Sequence, residues 1–90
     1  MRRIERTTQF KRDYKREKRT NGQLDDLLMP VITLLLADGE LPERLRDHPL
    51  DGEWKGYRDC HVRPDLVLIY AKTASTFTLV RLGSHSELFE

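Results

Sequence analysis

Apolar residues between positions 24 and 36 recur on a helical period. Leu24, Leu27, Leu28, Val31, Ile32, Leu34, Leu35 and Leu36 predict the most apolar helix of the chain, from about Gln23 to Ala37. Asp38-Gly39 stops it, and Pro30 inside it is expected to kink or divide it near Met29. Upstream, Phe10 and Tyr14 stand four apart in a polar stretch, which puts both on the inner face of an earlier helix. Thr7 or Thr8 can cap that helix, which reaches about Arg19, and Asn21 or Gly22 suits a left-handed end. Residues 2–7, with Ile4 as their one strongly apolar member, fit a short strand.

After Gly52 the period changes. Residues 57–62, 65–72 and 76–82 are rich in β-formers, separated by short turns at 63–64 and 73–75. The unbroken apolar run Leu66–Tyr70 predicts a central strand covered on at least one face. Residues 40–52 read as a loop with Pro42, Pro49 and the turn pair Asp51-Gly52. The predicted order is β-α-α-β-β-β, an α+β fold: an antiparallel sheet with two helices packed on one face and the other face open. Residues 1–90 form one small domain, without repeats or low-complexity segments.

Composition changes the picture little; charge distribution changes it more. The net charge is +1, yet residues 1–20 hold nine Lys/Arg against three Asp/Glu, and the remainder seven against twelve. That split suits a polyanion or an acidic partner at the N-terminal helix, as well as a plain solvated face. No run approaches 18 apolar residues and no secretory signal is visible, so a cytoplasmic protein without membrane contact is expected. The single cysteine, Cys60, excludes an internal disulfide and is expected to be a buried small hydrophobe.

Candidate chemistry gathers in the second half. Alternation along 57–62 points Tyr57, Asp59 and His61 one way and Arg58, Cys60 and Val62 the other. With Cys60 and Val62 in the core, His61 faces the open side. In the last strand a core face of Val80 and Leu82 places Arg81 on that side too. Asp65 begins the middle strand, His48 lies on the loop entering the sheet, and His85 follows the last strand. The three histidines, Asp65 and Arg81 can thus converge on one concave surface. Each also has a plainer explanation, as a surface histidine or a turn cap. Three His and one Cys are zinc-ligand types, but paired short spacings are absent and Cys60 and His61 point oppositely, so no metal is expected.

The stretch "DHPLDGEWKGYRDCHVRPDLVLIY" followed by "RLGSHSELF" strongly resembles the YafQ branch of the RelE-like toxins, ribosome-dependent mRNA interferases of bacterial type II toxin–antitoxin systems. The resemblance covers nearly the whole chain, and implies the same β-α-α-β-β-β fold. It carries functional roles onto His48, His61, Asp65 and His85, an aromatic role onto Phe89, and matches Arg81 to a basic residue of the last strand. Leu66 is a departure, standing where close relatives commonly have tryptophan.

The implied activity is endonucleolytic cleavage of translated mRNA, with the RNA 2′-hydroxyl as nucleophile and no cofactor. Imidazole suits both proton tasks because it titrates near neutral pH. His85 is assigned as general acid, Asp65 or His48 as general base, and His61 and Arg81 as phosphate contacts. Phe89 either stacks on a base or packs the C-terminal turn onto the sheet. Lys11, Arg12, Lys15, Arg16, Lys18 and Arg19 are expected to grip RNA phosphates. Expected partners are the ribosome with mRNA in its A site and a neutralising, DNA-binding antitoxin. The alternative is a non-catalytic relative that binds RNA or protein on the same fold, for which Leu66 is the one hint.

Overall fold

The computed structural model describes residues 2–89. Its elements are β1 (Arg3–Arg6), α1 (Thr8–Thr20), α2 (Leu24–Leu36), β2 (His48–Pro49), β3 (Arg58–Arg63), β4 (Leu66–Lys72), β5 (Thr76–Gly83) and α3 (His85–Phe89). Short 3-10 turns occupy Glu43–Leu45 and Gly52–Trp54. The strands form one sheet in the order β1-β5-β4-β3-β2. β2 to β5 pair antiparallel, but β1 runs parallel to β5. The expected antiparallel sheet is therefore mixed, and it gains a two-residue strand from the stretch read as loop. A strand's composition is silent on its neighbour's direction, and Pro49 is compatible with a strand only at an edge, where β2 lies.

Thr7 rather than Thr8 caps α1. Its Oγ1 accepts the Phe10 N–H at 2.9 Å and donates to the Val80 carbonyl at 2.7 Å. The left-handed end expected for α1 does not form. Asn21 is extended, with φ −137°, and its side chain takes the Gln23 N–H at 3.0 Å, so an Asx turn leads directly into α2. Nor does Pro30 divide α2, which runs as one element through it. Pro30 and Asp26 are both exposed, so the carbonyl that loses its helical partner can bind water instead.

Both helices pack on one face of the sheet, where Phe10, Leu24 and Leu28 meet Leu68, Phe77 and Leu82. The other face is not open at its centre. Val67, Ile69 and Leu88 form a second cluster, roofed by Trp54, Tyr57 and Phe89. Trp54 and Tyr57 meet edge to face with ring centroids 5.6 Å apart. Every residue of the run Leu66–Tyr70 is buried as a result. Leu66 itself belongs to the layer under the helices, so its side chain is core rather than surface.

A β-bulge corrects the expected alternation in β5. Ile69 pairs with Arg81 and Tyr70 with Leu79, leaving Val80 as the extra residue. Val80 consequently joins the second cluster while Leu82 stays in the first. Arg81, opposite Ile69, still lies on the side of the second cluster.

β1 covers the outer edge of β5 only as far as Leu79. Beyond it, side chains of α1 continue the ladder. Thr7 bonds the Val80 carbonyl, Asp13 Oδ2 accepts the Leu82 N–H at 3.0 Å, and Arg16 donates to the Leu82 carbonyl at 3.0 Å. These bonds satisfy backbone groups on an edge that α1 shields from water. Thr7→Ala removes both a cap and an edge bond, and should cost about 1–2 kcal/mol in urea unfolding. Thr8→Ala one residue on should stay within about 0.5 kcal/mol; equal losses would show that the cap position carries no special weight.

Candidate active site

Strand pairing brings the candidate residues to the side of the second cluster. His48 lies opposite Asp59, Asp59 opposite Ile69, and His61 opposite Val67. Asp59 is only 2% exposed, and its Oδ1 accepts no hydrogen bond. His48 Nδ1 stands 3.1 Å from that oxygen, but lies closer, at 2.6 Å, to the Arg46 carbonyl. A neutral His48 that gives its Nδ1 proton to the carbonyl keeps Nε2 as a free acceptor. The loop that holds it is fixed by its neighbour. Asp47 accepts the Tyr70 hydroxyl at 2.5 Å and Arg58 Nε at 3.3 Å, and the left-handed Arg46, with φ 51°, turns the chain into β2.

Burial pushes the Asp59 carboxyl above the ordinary aspartate range, against the electrostatic pull of His48, His61 and His85. One buried carboxylate therefore sits within the field of all three histidines. Asp59 is the residue that sequence reasoning missed. Alternation placed it on the same face as His61, but nothing in the strand pattern indicated that it would be buried, with His48 paired opposite it.

His85 opens α3, an element not expected from the sequence. Ser84 and Glu87 form a capping box: the Ser84 N–H donates to Glu87 Oε1 at 2.9 Å and the Glu87 N–H to Ser84 Oγ at 3.2 Å. The S-x-x-E spacing was the available signal. One turn later Phe89 lies against the His85 ring, centroids 4.8 Å apart, and also joins the second cluster. Its packing against the sheet side is thus present in the fold, and it holds His85 from beneath.

Arg81 reaches from the site side to α1. Its Nε donates to Asp13 Oδ2 at 2.7 Å and its Nη2 to Oδ1 at 3.3 Å. Burial works to raise the Asp13 carboxyl, but the bonds from Arg81 and the Leu82 N–H, with the charges of Arg81 and Arg16, hold it below its usual value. Asp65 is exposed in the turn after β3, which falls one residue later than expected, and makes no hydrogen bond or ion pair among the described residues. Cys60 points under the helices; burial drives its thiol up to about 12, so it stays protonated and unreactive.

Among the described residues no three His, Cys, Asp or Glu side chains are grouped so as to hold a metal ion. On α1, Arg16 and Lys18 are committed within the fold, to Asp13 at 3.2 Å and to Asp25 at 3.0 Å respectively. Lys11, Arg12, Lys15 and Arg19 are exposed without an acidic partner among the described residues. A concavity of the described residues lies elsewhere, between β1, α1 and α2, with Ile4, Met29 and Lys15 in its lining.

Three imidazoles act electrostatically on one buried carboxylate, on a small sheet backed by a basic helix, a grouping suited to acid–base chemistry. Comparison narrows the class. Residues 2–90 match the family of the bacterial toxin of type II toxin–antitoxin systems, YafQ. The mRNA interferase toxin YafQ of Escherichia coli K12 is 39% identical over 86 residues, covering 96% of this chain and 94% of that protein. The toxin in a crystal structure of the E. coli DinJ–YafQ complex superposes with a TM-score of 0.89 at 40% identity, covering 100% of both chains. A metal-bound toxin from Helicobacter pylori gives a TM-score of 0.90 at 41% identity, covering 99% of this chain and 100% of that one. The chain belongs to the YafQ family of type II toxins.

The raised pKa of Asp59 has a stability consequence. Wild type gains from protonation at low pH and loses that gain as pH rises through the folded-state value. Asp59→Asn should therefore stabilise the fold by on the order of 1 kcal/mol at neutral pH, with the gain fading towards about pH 4. Urea titrations across that range check this; an Asp59→Asn protein less stable at neutral pH than wild type would show that the carboxylate is a structural anchor.

Proposed function

We propose that the protein is a ribosome-dependent endoribonuclease that cleaves translated mRNA by metal-independent acid–base chemistry. The observation that carries this reading is the pairing of His48 with buried Asp59 at 3.1 Å, with His61 and His85 acting electrostatically on the same carboxylate. The kinship to mRNA interferase toxins supports the same activity. Leu66 lies in the core, so it no longer argues for a non-catalytic relative.

In this reading the 2′-hydroxyl of the RNA attacks the adjacent phosphorus. His48 takes the hydroxyl proton through Nε2, the nitrogen left free by the Arg46 carbonyl. Asp59, 3.1 Å from the opposite nitrogen, favours the imidazolium as it forms. Of the two base candidates, His48 is preferred over Asp65, which stands at the exposed rim. As the O2′–P bond forms and the P–O5′ bond breaks, His85 gives its proton to the departing 5′-oxygen. His61 and Arg81 stabilise the growing charge on the phosphoryl oxygens. Each proton transfer contributes roughly 10²–10⁴-fold.

The exposed cations Lys11, Arg12, Lys15 and Arg19 hold RNA phosphates without reading sequence. A cognate antitoxin neutralises the toxin, as the DinJ–YafQ complex suggests by kinship; action on translated mRNA places the protein in the cytoplasm.

Three outcomes test this. A single 2′-deoxy substitution at the cleaved nucleotide should block cleavage, and normal products should end in a 2′,3′-cyclic phosphate and a 5′-hydroxyl, both read by mass spectrometry. Chelator-treated toxin, assayed on mRNA in ribosomes whose own magnesium is restored, should keep full activity. Cleavage of the deoxy substrate, or 5′-phosphate ends, would mean attack by water. Reversing Lys11, Arg12 and Lys15 to Glu should weaken ribosome binding alike for all mRNAs. It should also flatten the salt dependence of binding, by roughly 0.7–0.9 log units for each phosphate that is no longer neutralised. Titrations at several salt concentrations check this; unchanged slope and affinity would leave α1 a solvated face.

A further inference from the structure

The Asp13 carboxylate is fully buried, while the Arg81 side chain bound to it keeps 22% of its surface exposed. Two functions meet in this carboxylate. It satisfies the Leu82 N–H at 3.0 Å, which any acceptor of the right shape could do, including an asparagine oxygen. It also receives two arginines: Arg81 through a fork at 2.7 and 3.3 Å, and Arg16 at 3.2 Å. Two cationic partners exceed what one backbone N–H requires.

We propose that Asp13 is a positioning residue for RNA cleavage: its carboxylate orients the Arg81 guanidinium so that the unused edge meets the scissile phosphate. This rests on the reading of Arg81 as a phosphate contact. The fork occupies Nε and one Nη2 hydrogen of Arg81, leaving both Nη1 hydrogens and the second Nη2 hydrogen for an anion. The geometry also resolves a charge conflict. A carboxylate beside a phosphate-binding arginine would repel the substrate if it faced it, but Asp13 is wholly covered. The Arg81 cation keeps part of its surface exposed while the Asp13 anion is hidden, and Arg16 shares its charge among Asp13, Glu17 and Glu87. Asp13 is itself fixed, because α1 and the β5 backbone both hold it. Arg81, otherwise a long flexible side chain, thereby acquires one orientation before substrate arrives, which is the condition for stabilising charge in the transition state.

A double-mutant cycle separates positioning from scaffolding. Wild type, Asp13→Asn, Arg81→Ala and the double variant are compared in single-turnover cleavage of ribosome-bound mRNA, with thermal unfolding of each. Asp13→Asn should slow the cleavage step at saturating toxin by roughly tenfold or more, since small misplacement of a catalytic group is costly. The half-saturating toxin concentration should change by less than about twofold. In the Arg81→Ala background the same substitution should change the rate by less than about twofold, because the two residues act as one unit. Equal losses in both backgrounds would overturn the proposal and leave Asp13 a scaffold. Full activity of Arg81→Ala would instead overturn the reading of Arg81, and the proposal with it. If Asp13→Asn does not fold, the wild-type protein decides by NMR: the Arg81 Nε–H should give a resolved, slowly exchanging signal, and a fast-exchanging one would contradict the fixed fork.

Discussion

Beyond Leu79, β5 has no strand on its outer edge, and side chains of α1 take the strand's place. Thr7, Asp13 and Arg16 supply in sequence the donors and acceptor that the Val80 and Leu82 backbone needs. This substitution sets the position of α1 against the sheet far more tightly than apolar packing, which tolerates sliding. Consequences run in two directions. The rest of α1 is turned outward, presenting Lys11, Arg12 and Lys15 to solvent. The last residues of β5 are held straight into Ser84 and the capping box that starts α3, so the edge of the sheet fixes where His85 stands.

The site itself inverts the usual logic of stability. Asp13 gains from burial because four hydrogen bonds hold it; Asp59 is buried with an oxygen that accepts nothing. A buried carboxylate without partners is costly, and its raised pKa expresses that cost. The three histidines around it are then the compensation the fold offers only when one of them is protonated. In the proposed mechanism an imidazolium formed on His48 meets the Asp59 carboxylate, so the cost of burying that group becomes stabilisation at the step that needs it. The small cluster of Val67, Ile69 and Leu88 carries the elements that hold these groups, with Phe89 packing directly against the His85 ring.

Much of this was legible in the sequence where one face decides the matter. Phe10 with Tyr14, the leucine series of α2 and the run Leu66–Tyr70 each announce their element, because burial against a layer imposes a period. The placement of His48, His61, Arg81 and His85 on one side followed from alternation and from the family resemblance together. What stayed hidden depends on pairing rather than on period. The parallel direction of β1, the bulge at Val80 and the burial of Asp59 arise from contacts between segments distant in the chain. The covering of the second face came from Trp54 and Phe89, whose loop and short helix have no periodic signature. Arg16 and Lys18 look like their exposed neighbours in sequence, and only their partners Asp13 and Asp25 distinguish them.

The central claim is that His48 and His85 divide the proton transfers, one deprotonated and one protonated in the active form. The pH dependence of single-turnover cleavage tests it most directly, in wild type, His48→Ala and His85→Ala. The wild-type rate should be bell-shaped in pH. Residual activity of His48→Ala should lose the rising acid limb, since no base remains to be deprotonated, and that of His85→Ala should lose the falling alkaline limb. Profiles that keep both limbs in either variant would contradict this division of roles.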